Sequence, residues 1–274
     1  MKAPWPIILP RVVGIIKNQW PYIFPPIFIL ILLFIYWLLA PRQREWTRDF
    51  LIPVIFFLAL AGRTLWDAIK FLRSTTAKGS FVALLSVNYL LVLSFMALTI
   101  FSYVIRSKPS HRAVGIKERA FPLFVVLFHL IGSYLIATRT QFHFHLVLYI
   151  VGIMLSILGV TIDCLAMWRL RRSFSIMAEV RSLITSGIYG WIRHPLYAGE
   201  LIHFLGIALV FNNIPTYGMC ALLIVLQTMR AMIEEQKLTA HFPEYMHYRK
   251  QAGFFLPRFR RVKMSPSDGV LLPP

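Results

Sequence analysis

The stretch "GWIRHPLYAGEL", residues 190–201, sets Arg193, His194, Tyr197 and Glu200 at the mouth of an apolar run. Pro195 suits the first turn of a helix, where its missing N–H costs nothing. His194 is therefore expected at the cap, with Tyr197 and Glu200 in the first turns. A helix N-terminus offers free backbone N–H groups and the positive end of a dipole. Arg193 adds a permanent charge and a bidentate fork. Together they form an anion-binding corner beside a hydrophobic chamber. The bland alternative is an interfacial belt, with Arg193 snorkelling and Tyr197 at headgroup level. A second polar group, Arg230, Glu234 and Glu235, lies in "RAMIEEQ" (230–236). Adjacent acids on a helix ordinarily face water; opposite Arg193 they could hold ribose hydroxyls, an amine or a sulfonium charge. His194, His203 and Glu234 lack any HExxH-like ligand spacing, so no metal is expected. His143 and His145 read as interface anchors at a helix start on the opposite face.

The elements that carry these groups follow from composition. Of 274 residues, 58% are hydrophobic and only 15% charged, against about a quarter charged in soluble domains. Residues 81–105 hold no charge, and neither do 22–40 or 121–138. Such runs are long enough for a bilayer core of about 30 Å. The expected fold is an all-α, polytopic membrane helix bundle of about seven spans: 22–40, 50–70, 81–105, 121–138, 144–168, 196–211 and 214–232. In the second, Arg63 and Asp67 have the i,i+4 spacing of an ion pair. The last two, parted by Asn212, Asn213 and Pro215, form a tight hairpin whose outer ends meet. That geometry brings "RHPLYAGE" against "RAMIEEQ".

The net charge of +18, from 29 Lys+Arg against 11 Asp+Glu, would suggest nucleic acid in a soluble chain. Here the basic residues gather between apolar runs, as the positive-inside rule and anionic headgroups favour, and no nucleic-acid motif accompanies them. The loops 106–119 and 169–193 and the C-terminus are expected on the cytoplasmic side, with the site. Arg73 and Lys78 fall on the wrong side in this scheme. Cys164 and Cys220 lie in apolar runs and read as small buried hydrophobes. The N-terminus, broken by three prolines, does not read as a cleaved signal; Trp5 and Trp20 are candidate interface anchors. The tail 263–274 is expected to be mobile.

"RSLITSGIYGWIRHPLYAGE", then "EEQKLTAHFPEYMHYRKQ" and "LPRF", resembles the isoprenylcysteine carboxyl methyltransferase family, related to the membrane phospholipid N-methyltransferases. The similarity covers about residues 165–259, including "RRSFSI" (171–176). It implies S-adenosylmethionine as cofactor, with Ile184, Gly187 and Tyr189 in the cofactor loop. It further implies that His194 and Tyr197 contact the cofactor, with Glu234 or Glu235 across the hairpin, and that Arg193 holds or orients the acceptor. Two departures fall on the acceptor side. Gln251-Ala252-Gly253 stands where the family often has Arg-Val-Pro, and one residue is missing between Phe242 and Tyr245.

The expected domains are 1–120, membrane helices of unassigned role; 121–262, a methyltransferase-like membrane domain; and the tail. The expected function is methyl transfer to a lipophilic or lipid-anchored acceptor reached from the bilayer, with membrane lipids as the other partners. A carboxylate acceptor needs no base and would be positioned by Arg193; an amine would need Glu234 or Glu235 as base. Two alternatives stand beside this reading. One is an NADPH-dependent reductase of lipid double bonds, with arginines of 169–193 on a 2′-phosphate; the other is a non-catalytic lipid-binding relative.

Overall fold

The computed structural model describes residues 52–74, 80–139, 143 and 145–258. The expected span 22–40, the anchors Trp5 and Trp20, Lys78 and the tail from Lys263 lie outside the described residues. Seven α-helices follow in order: α1 (Ile52–Ser74), α2 (Ser80–Ile105), α3 (Gly115–Arg139), α4 (Leu146–Leu170), α5 (Pro195–Phe211), α6 (Ile214–His241) and the short α7 (Tyr245–Gln251). Among the described residues β pairing is limited to two isolated bridges, His111 with Val180 and Ile192 with Gly253.

Six of the seven expected spans coincide with α1 to α6. Three helices are long and apolar enough to cross a bilayer, at Val82–Ile105, Leu146–Ser173 and Ile214–His241. The other helices differ in charge and length. Helix α1 carries Arg63, Asp67 and Lys70, with the expected Arg63–Asp67 ion pair at 2.9 Å. Helix α3 opens on Lys117, Glu118 and Arg119. Helix α5 has 17 residues, about 25 Å at 1.5 Å per residue, less than the hydrocarbon thickness.

Local chemistry sets the helix ends that matter. His145 caps α4 by accepting from the Leu148 N–H at 3.5 Å, and Pro195 sits at the start of α5 directly after His194. At the far end Asn212 turns left-handed (φ 47°) and stops α5, while Asn213 accepts from Thr216 N–H at 3.0 Å and starts α6. Two adjacent asparagines thus make the hairpin tight. Asn tolerates the left-handed region better than other side-chain-bearing residues.

Helices α4 and α5 form the most extensive contact in the fold. A Cβ on Gly199 would stand 2.7 Å from Gly159 O, and one on Gly152 2.6 Å from Gly206 O. Small residues on both faces let the backbones approach this closely. Helix α6 packs on α3 and α5, burying Val125, Phe204 and Leu223 between them. A second cluster, with Phe57, Tyr103, Met167, Phe174, Leu196 and Tyr197, lies under the loops that follow α4.

Candidate active site

Between α4 and α5, after a short 3-10 turn at Arg171–Ser173, the chain runs irregularly to Arg181. Phe174, Ile176, Ala178 and Val180 are buried, while Ser173, Ser175, Met177 and Glu179 between them are half-buried. Burial thus alternates along the segment although its backbone bends at Ile176 and Met177. The segment is held by the α2–α3 connection. Ser107 N–H donates to Arg172 O at 3.0 Å, Ser110 N–H to Val180 O at 2.9 Å, and Val180 N–H to His111 O at 2.9 Å. Lys237 on α6 completes the strap by donating to Arg112 O at 2.6 Å and pairing with Glu118.

The outer ends of the hairpin meet as their sequence order requires. Arg193 Nε donates to Glu235 Oε1 at 2.6 Å, and His194 Nε2 lies 3.2 Å from the same oxygen. Arg193 Nη1 donates to the carbonyls of Arg249 (2.9 Å) and Ala252 (2.6 Å), and Arg249 Nε approaches Glu235 Oε2 at 3.5 Å. Glu235 is 5% exposed, so this acid does not face water. The backbone repeats the connection. Arg193 N–H donates to Gly253 O at 2.7 Å and Gly253 N–H to Trp191 O at 3.0 Å. The departing triplet Gln251-Ala252-Gly253 therefore packs directly against the arginine segment.

Tyr197 OH donates to Glu234 Oε1. The Tyr197 ring lies parallel to His194, 5.6 Å apart and 3° off, and Arg230 places its guanidinium 4.6 Å from the Tyr197 ring centre. Arg230 also donates from Nη2 to Ile176 O at 3.0 Å, and its Nε stands 3.9 Å from Glu234. That Nε has no hydrogen-bond partner and is fully buried. Tyr248 OH donates to Tyr189 O at 2.7 Å. Burial pushes both of these phenols above their ordinary range, so they stay neutral at physiological pH.

These groups enclose a cavity of about 130 Å³. Of the residues singled out in the sequence, Ile184, Tyr189, Arg193, His194, Tyr197 and Glu234 line it. Gly187 and Glu235 do not. Gly187 turns the chain just before Tyr189 with φ 64°, against the Arg169 side chain, and Glu235 acts from behind the wall. Arg230, Lys237, Tyr245, Tyr248, Glu179 and Arg181 line it as well; the sequence reading gave Lys237, Tyr245, Tyr248 and Glu179 no place in the cofactor site. Of the arginines of 169–193 available to a phosphate in the reductase alternative, Arg181 and Arg193 line the cavity, while Arg169, Arg171 and Arg172 do not.

The remaining polar residues of the entry sort elsewhere. Glu200 accepts from Gln227 on α6. His203 bonds Ser156 at 2.9 Å, away from His194, and no group of three metal-binding side chains occurs among the described residues. His143 and His145 lie at the other end of the hairpin, His143 N–H donating to Phe211 O at 3.2 Å.

Comparison with known proteins places the same region. Residues 147–245 match the family model described as phospholipid methyltransferase. The chain is 29% identical over 125 residues to protein-S-isoprenylcysteine O-methyltransferase of Homo sapiens, covering 43% of this chain and 44% of that protein. It is 31% identical over 121 residues to the protein of that name from Rattus norvegicus, covering 41% and 42%. It is also 32% identical over 78 residues to cobalt-zinc-cadmium resistance protein CzcN of Cupriavidus metallidurans, covering 28% and 36%. The match thus spans less than half the length of each of these three relatives.

Proposed function

We propose, from a C-terminal half that belongs with the phospholipid and isoprenylcysteine methyltransferases, that this is an integral membrane, multi-pass methyltransferase. It uses S-adenosylmethionine and acts on a lipophilic or prenyl-linked acceptor, with a carboxylate as the methylated group. The observation that carries the reading is the cavity at the hairpin ends, where a buried Arg230 keeps an unpartnered Nε beside Tyr197 and Glu234.

The residues fit the cofactor. Arg230 Nε lacks an acceptor, Glu234 offers an opposing charge, and the parallel His194 and Tyr197 rings give a flat wall. Ile184, Tyr189, His194, Tyr197 and Glu234 would hold it, with Gly187 setting the turn that presents Tyr189. When bound, S-adenosylmethionine supplies a methyl group on a positively charged sulfur, already activated for displacement. The chain's task is then alignment and exclusion of water. A carboxylate acceptor is ionised at neutral pH and needs no base. Arg230 would orient it, aided by Arg193 Nη2, the one nitrogen of that guanidinium without a protein acceptor among the described residues. Glu235, tied to Arg193 and His194, positions these two rather than reacting. Glu234 would be the base if an amine took the methyl group. The basic loops 106–119 and 169–193 support a cytoplasmic position for this face, with the acceptor arriving from the bilayer.

The test is methyl transfer from labelled S-adenosylmethionine to a farnesylcysteine with a free carboxylate, against phosphatidylethanolamine. The proposal expects a base-labile methyl ester on the first. Label on the amine lipid alone would refute the carboxylate assignment.

A further inference from the structure

One wall of the cavity carries a polar set that the reading above leaves without a role. Glu179 and Arg181 form an ion pair at 2.7 Å, with side chains only 7% and 2% exposed. Glu179 Oε2 receives both the Arg181 Nη2 bond and a bond from Ser175 Oγ at 2.9 Å. Arg181 Nε is fixed on Ser107 O at 2.9 Å, and its Nη1 is buried without a partner. The Ser173 and Ser182 hydroxyls bond each other beside this pair. All five residues line the cavity, on the wall formed by residues 173–182. Glu179 Oε1 takes no hydrogen bond from the described residues.

We propose that Glu179, locked by Arg181 and Ser175, binds the vicinal hydroxyls of a nucleoside ribose in this cavity. The inference rests on the methyltransferase reading and names the subsite for the sugar of its cofactor. The chemistry selects the group. The Glu179–Arg181 pair is neutral as a unit, so it does not attract a sulfonium, an ammonium or a carboxylate. Charged groups instead meet Arg230 and Glu234. What the pair offers is one carboxylate oxygen and the unpartnered Arg181 Nη1 among hydroxyls, which suits neutral O–H groups that both donate and accept. A carboxylate accepting from sugar hydroxyls gives charge-assisted hydrogen bonds, stronger than neutral ones. Ser173, Ser175 and Glu179 are each half-buried and line the same wall of the cavity.

Calorimetry on the full-length protein in nanodiscs tests this with S-adenosylhomocysteine and its 2′,3′-dideoxyribose analogue. Wild type should prefer the natural ribose by roughly tenfold or more, equivalent to about 1.4 kcal/mol. Glu179→Gln should shrink that preference to about twofold while leaving the dideoxy affinity unchanged. If Glu179→Gln does not fold, Ser175→Ala, which removes only the second bond holding the carboxylate, should narrow the preference in the same direction. Equal loss of both ligands in either variant, or an unchanged preference, overturns the ribose assignment and leaves the methyltransferase reading standing. Wild type that binds neither ligand overturns that reading and this inference with it.

Discussion

At the scale of single residues, Tyr197 tests how the site is wired. Its ring packs on His194 and under Arg230, and its hydroxyl donates to Glu234. Tyr197→Phe keeps the rings and deletes one hydrogen bond to a charged acceptor, a loss of about 1.5–3 kcal/mol. The expected result is cofactor affinity lower by roughly tenfold or more together with a lowered melting temperature, read by calorimetry and by a melting curve. An unchanged affinity would remove the Tyr197–Glu234 pair from the site. The meeting of Arg193 and His194 with the Glu pair was legible in the sequence, because Pro195 and the Asn212–Asn213 turn fix where a hairpin starts and closes. Which acid does what was not legible. Two neighbouring glutamates look alike in sequence, yet they point 100° apart around a helix. Glu235 therefore reaches Arg193, while Glu234 lines the cavity. Glu179 and Arg181 were hidden for another reason: they lie in an irregular segment whose pairing with Ser107 depends on distant chain.

At the scale of elements, the close α4–α5 contact makes a strong claim about glycine. Gly159→Leu must push a side chain into the α5 backbone, where even a Cβ would stand 2.8 Å from His203 Cα. Overpacking of this kind costs about 1–3 kcal/mol or more. Gly218→Ala on α6 meets nothing within 4 Å and serves as the control. Size-exclusion profiles and melting curves should show Gly159→Leu destabilised and Gly218→Ala close to wild type. The strap gives a pH prediction. Burial pushes the Glu118 carboxyl up, but the bonds from Lys237 and the Val114 N–H outweigh it and hold the group below its usual value. A lowered carboxyl contributes stability above its unfolded value, about 4, and loses it as pH falls through the folded one. The stability gap between wild type and Glu118→Gln should be constant from neutral pH to about 5 and close below about 4. A gap that does not change with pH would mean that the Lys237 pairing adds nothing. The strap itself was invisible in the sequence. Residues 107–114 have no periodicity, and only the fold shows that they bond the cavity wall.

At the scale of the whole molecule, hydropathy located six helices well, since uncharged runs of that length have few other fates. Orientation is a proposal with a direct check. In a background lacking Cys164 and Cys220, single cysteines at Lys117 and Lys250 should label from one side of the membrane and one at His145 from the other. Lys117 and Lys250 labelling from opposite sides would break the link between the strap and the C-terminal segment on one face. The central claim, that the hairpin ends and the irregular wall enclose an adenosyl cofactor, is tested most directly by calorimetry of the purified protein with S-adenosylmethionine, S-adenosylhomocysteine and NADPH. The account predicts saturable one-site binding of both methionine derivatives, with NADPH silent; saturable NADPH binding with neither derivative bound would contradict it.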